Sequence, residues 1–388
     1  MNLAGNVRPS GRETFMTQLN SSSGARSALL LAPEPLDSAG GGGLRSRSVL
    51  EYLRTRYEVQ IASFVLPHHS KGWLARAWRN AWRLVRGRPP LLDRFSGFEA
   101  QLDPVLRGRH YDVSVIEHFW CAPYARSLRP HSELLVLDLH NIESELTASH
   151  ARATRGLESM AHSRFAAAYR RLESEWLKHF DVVLVASGED RLRVEHPNVY
   201  VYPNALPEIA RPAVAEGNCI IFSGNLEYHP NVEAVRWFRE QVWPRLRDRF
   251  PEMEWRLAGA NGGRIASLVA GDDRIVVISP IKDAMPVIAE AKVCVVPLLS
   301  GSGTRFKILE AWAASRAVVS TSIGAEGFGA RSGEHLLMAD SPRDFADAVA
   351  RLLEDRELRE RIGEAGRKLY LDRFTWESAW KGLREAGI

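Results

Sequence analysis

The strongest constraint on this chain is a rhythm. Short apolar runs recur along it, each followed by a longer amphipathic stretch. The first series is ALLLA at 28–32, EVQIASF at 58–64, DVSVI at 112–116, ELLVLDL at 133–139 and DVVLVA at 181–186. Apolar runs of this kind suit strands buried on both faces of a parallel sheet. The stretches between them, such as 44–56 and the long 143–179, have helical periodicity and supply crossovers. This is βαβ grammar, and it predicts a doubly wound α/β domain.

The rhythm pauses near Tyr202-Pro203-Asn204. Residues 203–218 hold three prolines together with Gly217 and Asn218, the composition of a linker. It then restarts, with apolar runs at 218–224, 254–259, 274–279, 292–298, 317–322 and 335–340 and helical stretches at about 231–249, 283–290, 306–314 and 342–353. In the tail, 375–383, Trp376 and Trp380 stand at i and i+4 on one helical face. Two similar α/β domains and an appended C-terminal helix follow from this pattern.

Several classes of function are excluded. The longest apolar runs, such as VCVVPLL at 293–299, fall far short of the roughly 20 residues of a membrane-spanning helix. The three cysteines, Cys121, Cys219 and Cys294, lie far apart with no C-x-x-C spacing, which argues against a disulfide framework or structural zinc and fits the cytoplasm. Residues 1–26 are polar, without the apolar core of a secretory signal, and read as a disordered lead. The net charge of +4 does not point to a nucleic-acid partner. No D-x-D triplet occurs, and no His/Asp/Glu grouping in the sequence suggests a metal site.

Three strand–glycine–helix junctions draw attention. The first is Asp37-Ser38-Ala39-Gly40-Gly41-Gly42-Gly43, where the glycines let backbone amides approach a phosphate; it reads equally as a flexible loop. The second is Ser300-Gly301-Ser302-Gly303-Thr304-Arg305, opening the helix Phe306-Lys307-Ile308-Leu309-Glu310-Ala311-Trp312. Cations in a first turn oppose the helix dipole, so Arg305 and Lys307 together imply an anion, against the alternative of ordinary surface cations. The third is Ser223-Gly224-Asn225. Ligands of open α/β sheets bind at the carboxyl ends of strands, so the junctions imply a cleft between the domains; each is also a plausible tight turn.

Single residues carry two readings. Glu310 is either a surface carboxylate or one that accepts hydrogen bonds from a diol such as ribose. His140 follows a strand and faces the cleft, or is a structural histidine beside the N-cap Asn141. Residues 71–88, KGWLARAWRNAWRLVRGR, hold six cations and no acid, with Leu74, Trp78, Trp82 and Val85 on one face. That face reads either as a peripheral membrane contact or as packing on the core.

These residues resemble a known family. Gly301-Ser302-Gly303-Thr304-Arg305-Phe306-Lys307-Ile308-Leu309-Glu310-Ala311, with Ala317-Val318-Val319-Ser320-Thr321, resembles the donor-site signature of GT-B glycosyltransferases of family 4. Val201-Tyr202-Pro203-Asn204, Ser223-Gly224-Asn225 and Gly324-Ala325-Glu326-Gly327 resemble accompanying segments in the same order. The resemblance implies a disordered lead (1–26), an N-terminal Rossmann-like acceptor domain (27–205), a C-terminal Rossmann-like nucleotide-sugar domain (206–372) and a crossover helix (373–388).

The resemblance further implies a retaining, metal-independent transfer of a sugar from a nucleoside-diphosphate donor to a glycan, lipid-linked or small-molecule acceptor, with no cofactor beyond that co-substrate. His140, Arg305 and Lys307 become the catalytic candidates. Gly41, Gly42, Ser223, Gly224, Asn225, Ser302, Gly303, Thr304 and Glu310 become the donor-binding candidates. Polysaccharide biosynthesis at the inner face of the cell membrane is the implied setting, with 71–88 as the membrane contact. One position departs from the family: Ser302 stands where a second glutamate, which contacts the donor sugar, is usual. That motivates a rival reading as a non-catalytic nucleotide-sugar-binding protein. An NAD-dependent oxidoreductase is a further rival, since Gly301 and Gly303 fit the dinucleotide fingerprint, but Phe306 occupies its third glycine position.

Overall fold

In the computed structural model of the protein, residues 26–33, 41–66, 72–301 and 305–388 are described below. Most of the lead, together with Gly40, Lys71, Ser302, Gly303 and Thr304, lies outside them. Arg26, counted with the lead in the sequence reading, is already part of the fold, because its carbonyl accepts the Glu58 amide at 2.8 Å.

The first sheet contains β1 (Ser27–Leu31), β2 (Glu58–Ala62), β3 (Tyr111–Glu117), β4 (Ser132–Asp138), β5 (Val182–Val185) and β6 (Val199–Val201) in the order β2-β1-β3-β4-β5-β6. Every described pairing is parallel. Alternate residues feed two cores. Leu29, Leu31, Leu135 and Leu137 pack on one face, while Ala28, Leu30 and Val136 pack on the other. That explains why these strands are apolar along their whole length.

The second sheet contains β7 (Cys219–Ser223), β8 (Glu254–Ala258), β9 (Ile275–Ile278), β10 (Val293–Val296), β11 (Ala317–Ser320) and β12 (Leu337–Met338), ordered β12-β11-β10-β7-β8-β9 and again parallel. It has its own core, which includes Trp243, Trp255 and Trp312. The fold class read from the sequence therefore stands: two doubly wound α/β units.

Some elements differ from the sequence reading. The helical stretch 143–179 is two helices, Glu143–Ala153 and Gly156–Trp176, broken where Gly156 takes a left-handed backbone at φ 63°. Strand β6 and the helix Arg356–Arg373 emerge from stretches not read as regular elements. β6 is three residues long and the last strand of its sheet, so its apolar run was too short to announce itself.

The chain ends by returning to the first unit. The helix Trp376–Glu385 is capped by Thr375, whose hydroxyl accepts the Ser378 amide. Ala379, Leu383 and Ile388 join the core under β1 and β3. Trp376 Nε1 donates to the Ala205 carbonyl at 3.2 Å, and Trp380 Nε1 to the Ser48 carbonyl at 3.2 Å. The i, i+4 tryptophans thus clasp the far domain.

Candidate active site

Strand ends from both sheets supply the candidate residues. In the second unit, β7 delivers Ser223 and Gly224, β10 leads into Ser300 and Gly301, and the helix Phe306–Ala313 starts just beyond. Arg305 is its N-cap residue, and its first turn contains no acid. Lys307 Nζ donates to Asn231 Oδ1 at 2.7 Å and lies 4.0 Å from the centroid of the Phe222 ring. Burial, reinforced by neighbouring Arg305, pushes the Lys307 ammonium down to about 7. Glu310 follows one turn later, where the Ser223 hydroxyl donates to its Oε2 at 3.4 Å. Burial pushes the Glu310 carboxyl up to about 7, with Lys307 pulling the other way.

Glycine is required here for space. Gly224 has φ 137°, and a Cβ on it would stand 3.1 Å from Asn231 Nδ2 and 3.3 Å from Lys307 Nζ. A Cβ on Gly259, at the end of β8, would stand 1.7 Å from the Gly224 carbonyl oxygen. Gly259 was not singled out in the sequence because its partner is 35 positions away. Asn225 is occupied by the turn itself: its Oδ1 accepts the Glu227 amide and Asn261 Nδ2, each at 3.0 Å.

In the first unit, Gly41 and Gly42 begin the helix Gly41–Arg54. Two residues on, Leu44 packs against the core of the second unit, so this helix start sits where the two units meet. Arg45 is buried and pins the strand ends together. It bonds both carboxylate oxygens of Asp138, the shortest contact being 2.5 Å, and donates to the Tyr202 carbonyl at 2.7 Å and Asn204 Oδ1 at 3.0 Å.

Beside this ion pair lies a group that sequence reading only half found. His140 packs on His118 with ring centroids 3.6 Å apart and planes tilted by 37°, and His118 stacks on Trp120 at 4.1 Å. His118 holds φ 66°, rare for a non-glycine residue and a mark of functional or structural strain. Burial holds both imidazoles well below their usual range, so both are neutral at pH 7. Burial and the Asp138 charge push Glu117 up to about 8, and the Ser46 hydroxyl donates to it. Four buried atoms here, Glu117 Oε1, His118 Nδ1, Trp120 Nε1 and His140 Nε2, have no hydrogen-bond partner among the described residues. Orphaned buried donors and acceptors are costly, and their concentration at a strand end marks a place that suits a polyol. His118 and Trp120 are half-buried just beyond β3, and what sets them apart, their ring contacts with each other and with His140, is not visible in sequence.

The sequence reading found no metal grouping; the fold brings one set of possible ligands together. Glu117, Asp138 and His140 offer ligand atoms within 4.8 Å of one another. They are neighbours because β3 and β4 pair with Glu117 opposite Asp138. Arg45 already neutralises Asp138, and Glu117 is held protonated, so the donor set lacks the anionic charge that a divalent cation favours.

The start of the helix His229–Trp237 ties the two sides together. Tyr228 feels both Arg305 and Glu143, and His150 feels His229 and Glu233. Ser300 Oγ donates to Glu233 at 2.7 Å. A direct ion pair, Arg193 to Glu326 at 3.1 Å, also joins the units. Ser302, Gly303 and Thr304 lie outside the described residues, and the other candidates fall at strand ends and helix starts of both units.

Comparison with known proteins agrees with this architecture. The family model described as glycosyl transferases group 1 matches residues 217–355, within the second unit. An uncharacterized 44.6 kDa protein in the cps region of Klebsiella pneumoniae is 31% identical over 141 residues, covering 34% of this chain and 36% of that protein. The match thus spans about a third of that relative's length. Sucrose-phosphate synthase from Thermosynechococcus elongatus superposes with TM-score 0.70 at 15% identity, covering 93% of this chain and 98% of that one. Anabaena HepE in complex with UDP and glucose superposes with TM-score 0.66 at 13% identity, covering 93% and 98%. The fold is GT-B.

Proposed function

We propose that the protein transfers a sugar from a nucleoside-diphosphate donor to a glycan, lipid-linked or small-molecule acceptor, with retention and without a metal. The observation that carries this reading is the pairing of Arg305 and Lys307 at an acid-free helix start, with Glu310 one turn on. A helix N-terminus with two partly desolvated cations is poised for a diphosphate. Glu310, ionised when the site is filled, accepts hydrogen bonds from the ribose diol.

The chemistry follows from where charge appears. As the bond from the anomeric carbon to the diphosphate oxygen breaks, negative charge builds on the leaving phosphate. Arg305, Lys307 and helix amides stabilise it without reorganising. The acceptor oxygen forms its bond to the anomeric carbon on the same face, and its proton passes to the departing diphosphate. His118, His140 and Trp120 present hydrogen-bonding edges from the opposite domain and orient the donor sugar. The nucleotide sugar is the only co-substrate this scheme uses.

The setting we propose is the cytoplasmic face of a membrane, in polysaccharide biosynthesis of the family 4 kind. No described helix is long and apolar enough to cross a membrane. The three cysteines are free and buried, which fits a reducing compartment. Trp78 and Trp82 stack on each other at 5.7 Å and are 68% and 45% exposed, so the alternative that they pack on the core is overturned. Exposed tryptophans on an arginine-rich helix support a peripheral membrane contact.

A thermal-shift screen against UDP, GDP and ADP on wild type and Glu310→Ala tests the reading. A shift with one diphosphate, lost in the variant, is expected. Binding with no diphosphate release from any donor and acceptor would favour the non-catalytic reading instead.

A further inference from the structure

A cavity of about 740 Å³ lies on the second unit, within the roughly 300–1,000 Å³ of small-molecule sites. It stands at the opposite end of the sheet from the candidate donor residues. Lys292 and Arg316, the residues just before β10 and β11, line it, whereas Ser300 and Gly301 follow the far end of β10. The helix Arg356–Arg373 starts beside it and supplies Arg356, Arg359, Glu360 and Glu364. With Arg211 and Glu216 the lining holds five cations and three carboxylates, a net charge of +2. The helix start adds positive potential to that excess.

These charges are unevenly matched. At the exposed rim, Arg211 pairs with Glu364 at 2.6 Å and Arg356 with Glu360 at 2.7 Å. The less exposed Arg316 and Arg359 share the one carboxylate of Glu216, at 2.6 and 2.8 Å. Lys292 Nζ donates to the Asn218 amide oxygen at 3.0 Å and has no carboxylate oxygen within 4.0 Å among the described residues. Three cations therefore stand against a single acid. Three buried polar atoms of lining residues, Ser315 Oγ, Arg316 Nε and Arg359 Nε, also have no hydrogen-bond partner among the described residues. Such atoms are costly, and their concentration on one cavity marks a place that suits a polar ligand.

Ser315 is the most informative of the three. It follows the helix Phe306–Ala313 with φ 55°, the left-handed position where glycine is usual. Its amide donates to the Trp312 carbonyl at 2.9 Å and the Arg316 amide to the Ala311 carbonyl at 2.8 Å, while Arg367 bonds the Ala313 carbonyl, so the helix end is already capped. The hydroxyl takes no part in that cap, and glycine would form it without the conformational cost. We propose that this cavity binds the phosphate group of a small polar anion, held by Lys292, Ser315, Arg316 and Arg359. Guanidinium forks and a lysine ammonium suit phosphate oxygens, and the serine hydroxyl adds a further donor. The proposal stands apart from the donor-site reading, because the two places share no residue.

The test is titration calorimetry of the full chain with ribose 5-phosphate, inorganic phosphate and ribose, on wild type, Lys292→Gln and Ser315→Gly. A phosphate should bind wild type at least tenfold more tightly than ribose does. Lys292→Gln should lower that phosphate affinity at least tenfold and Ser315→Gly at least threefold, with any diphosphate thermal shift intact in both. Ser315→Gly should melt at or above wild type, because glycine suits φ 55°, so its weaker binding reports the hydroxyl and not the fold. Ribose 5-phosphate binding at least tenfold more tightly than inorganic phosphate identifies a phosphomonoester as the occupant, and equal affinities identify free phosphate; either upholds the site. Failure of both phosphates to bind wild type overturns the proposal however the variants fold. A phosphate affinity unaltered in either variant overturns it as well, since the anion would then bind elsewhere.

Discussion

Lys307 Nζ sits 4.0 Å from the centroid of the Phe222 ring, held there by a 2.7 Å hydrogen bond to Asn231. Among the described residues no carboxylate oxygen lies within 4.0 Å of it. A buried ammonium with only a ring face and an amide is poorly compensated. An anion placed at the helix start supplies what is missing. Lys307→Met should weaken nucleoside-diphosphate binding roughly 10–150-fold, the worth of about 1.5–3 kcal/mol for a hydrogen bond to a charged group. The same change removes an uncompensated charge, so the melting temperature of the free protein should hold or rise. Titration calorimetry and a thermal melt check both; unaltered affinity would remove Lys307 from the site.

Acidity gives a second expectation. The Lys307 ammonium titrates near 7 in the free protein, with Arg305 and Glu310 as its charged neighbours and Asp283 acting on Glu310. A bound diphosphate favours the protonated form. Diphosphate affinity should therefore fall as pH rises above 7, approaching tenfold per unit. Lys307→Arg stays charged and should lose this alkaline decline. Stability runs the other way for this lysine. Its folded value lies below its unfolded one, so the unfolded chain binds the extra proton and stability from this group rises between pH 7 and the unfolded value. Calorimetry at pH 6, 7, 8 and 9 on both proteins decides.

Arg45 and Asp138 form a fully buried pair that also holds Tyr202 and Asn204. Removing one partner leaves an uncompensated buried charge. Asp138→Asn or Arg45→Met should destabilise the first domain by about 3–5 kcal/mol. The double variant Arg45→Met/Asp138→Leu should recover a good part of that loss, since it leaves no buried charge behind. Denaturant titration of all three is the measurement, and a double variant worse than either single would contradict the account.

The sequence disclosed the repeating β and α elements because burial on both faces of a parallel sheet imposes a composition that can be read locally. Leu29, Leu31 and Ala28, Leu30 serve opposite cores yet sit in one unbroken run. Arg305, Lys307 and Glu310 were legible for a similar reason, since one helix start carries them all. Glu117, His118, Trp120 and Gly259 were not. Their significance lies in pairing between strands far apart in sequence: Glu117 meets Asp138 only through the β3–β4 register, and Gly259 meets Gly224 only across β7 and β8. The outward face of Trp78 and Trp82 was undecided for the same reason, because an amphipathic pattern states that a face is apolar and not what covers it.

The paired imidazoles supply the last expectation. His118 and His140 are both neutral at pH 7, and each keeps one ring nitrogen without a hydrogen bond among the described residues, His140 Nε2 standing 3.6 Å from Asp138 Oδ2. A neutral imidazole can donate to or accept from a sugar hydroxyl, and in the proposed scheme these two act from the domain opposite the one that holds the diphosphate. His140→Ala should therefore lower kcat about tenfold, the upper range for a neutral hydrogen bond, while leaving the diphosphate Kd within about twofold. Because burial holds both rings far below their usual range, the neutral form persists as pH falls through 6.5. The kcat profile should show no acid limb near that value in wild type. An acid limb near 6.5 that disappears in His140→Ala would mean that this histidine gains a proton during turnover, as an imidazole acting on the acceptor hydroxyl would. The proton would then no longer pass directly to the departing diphosphate. Steady-state rates from pH 5.5 to 8.5 with a saturating donor separate the two.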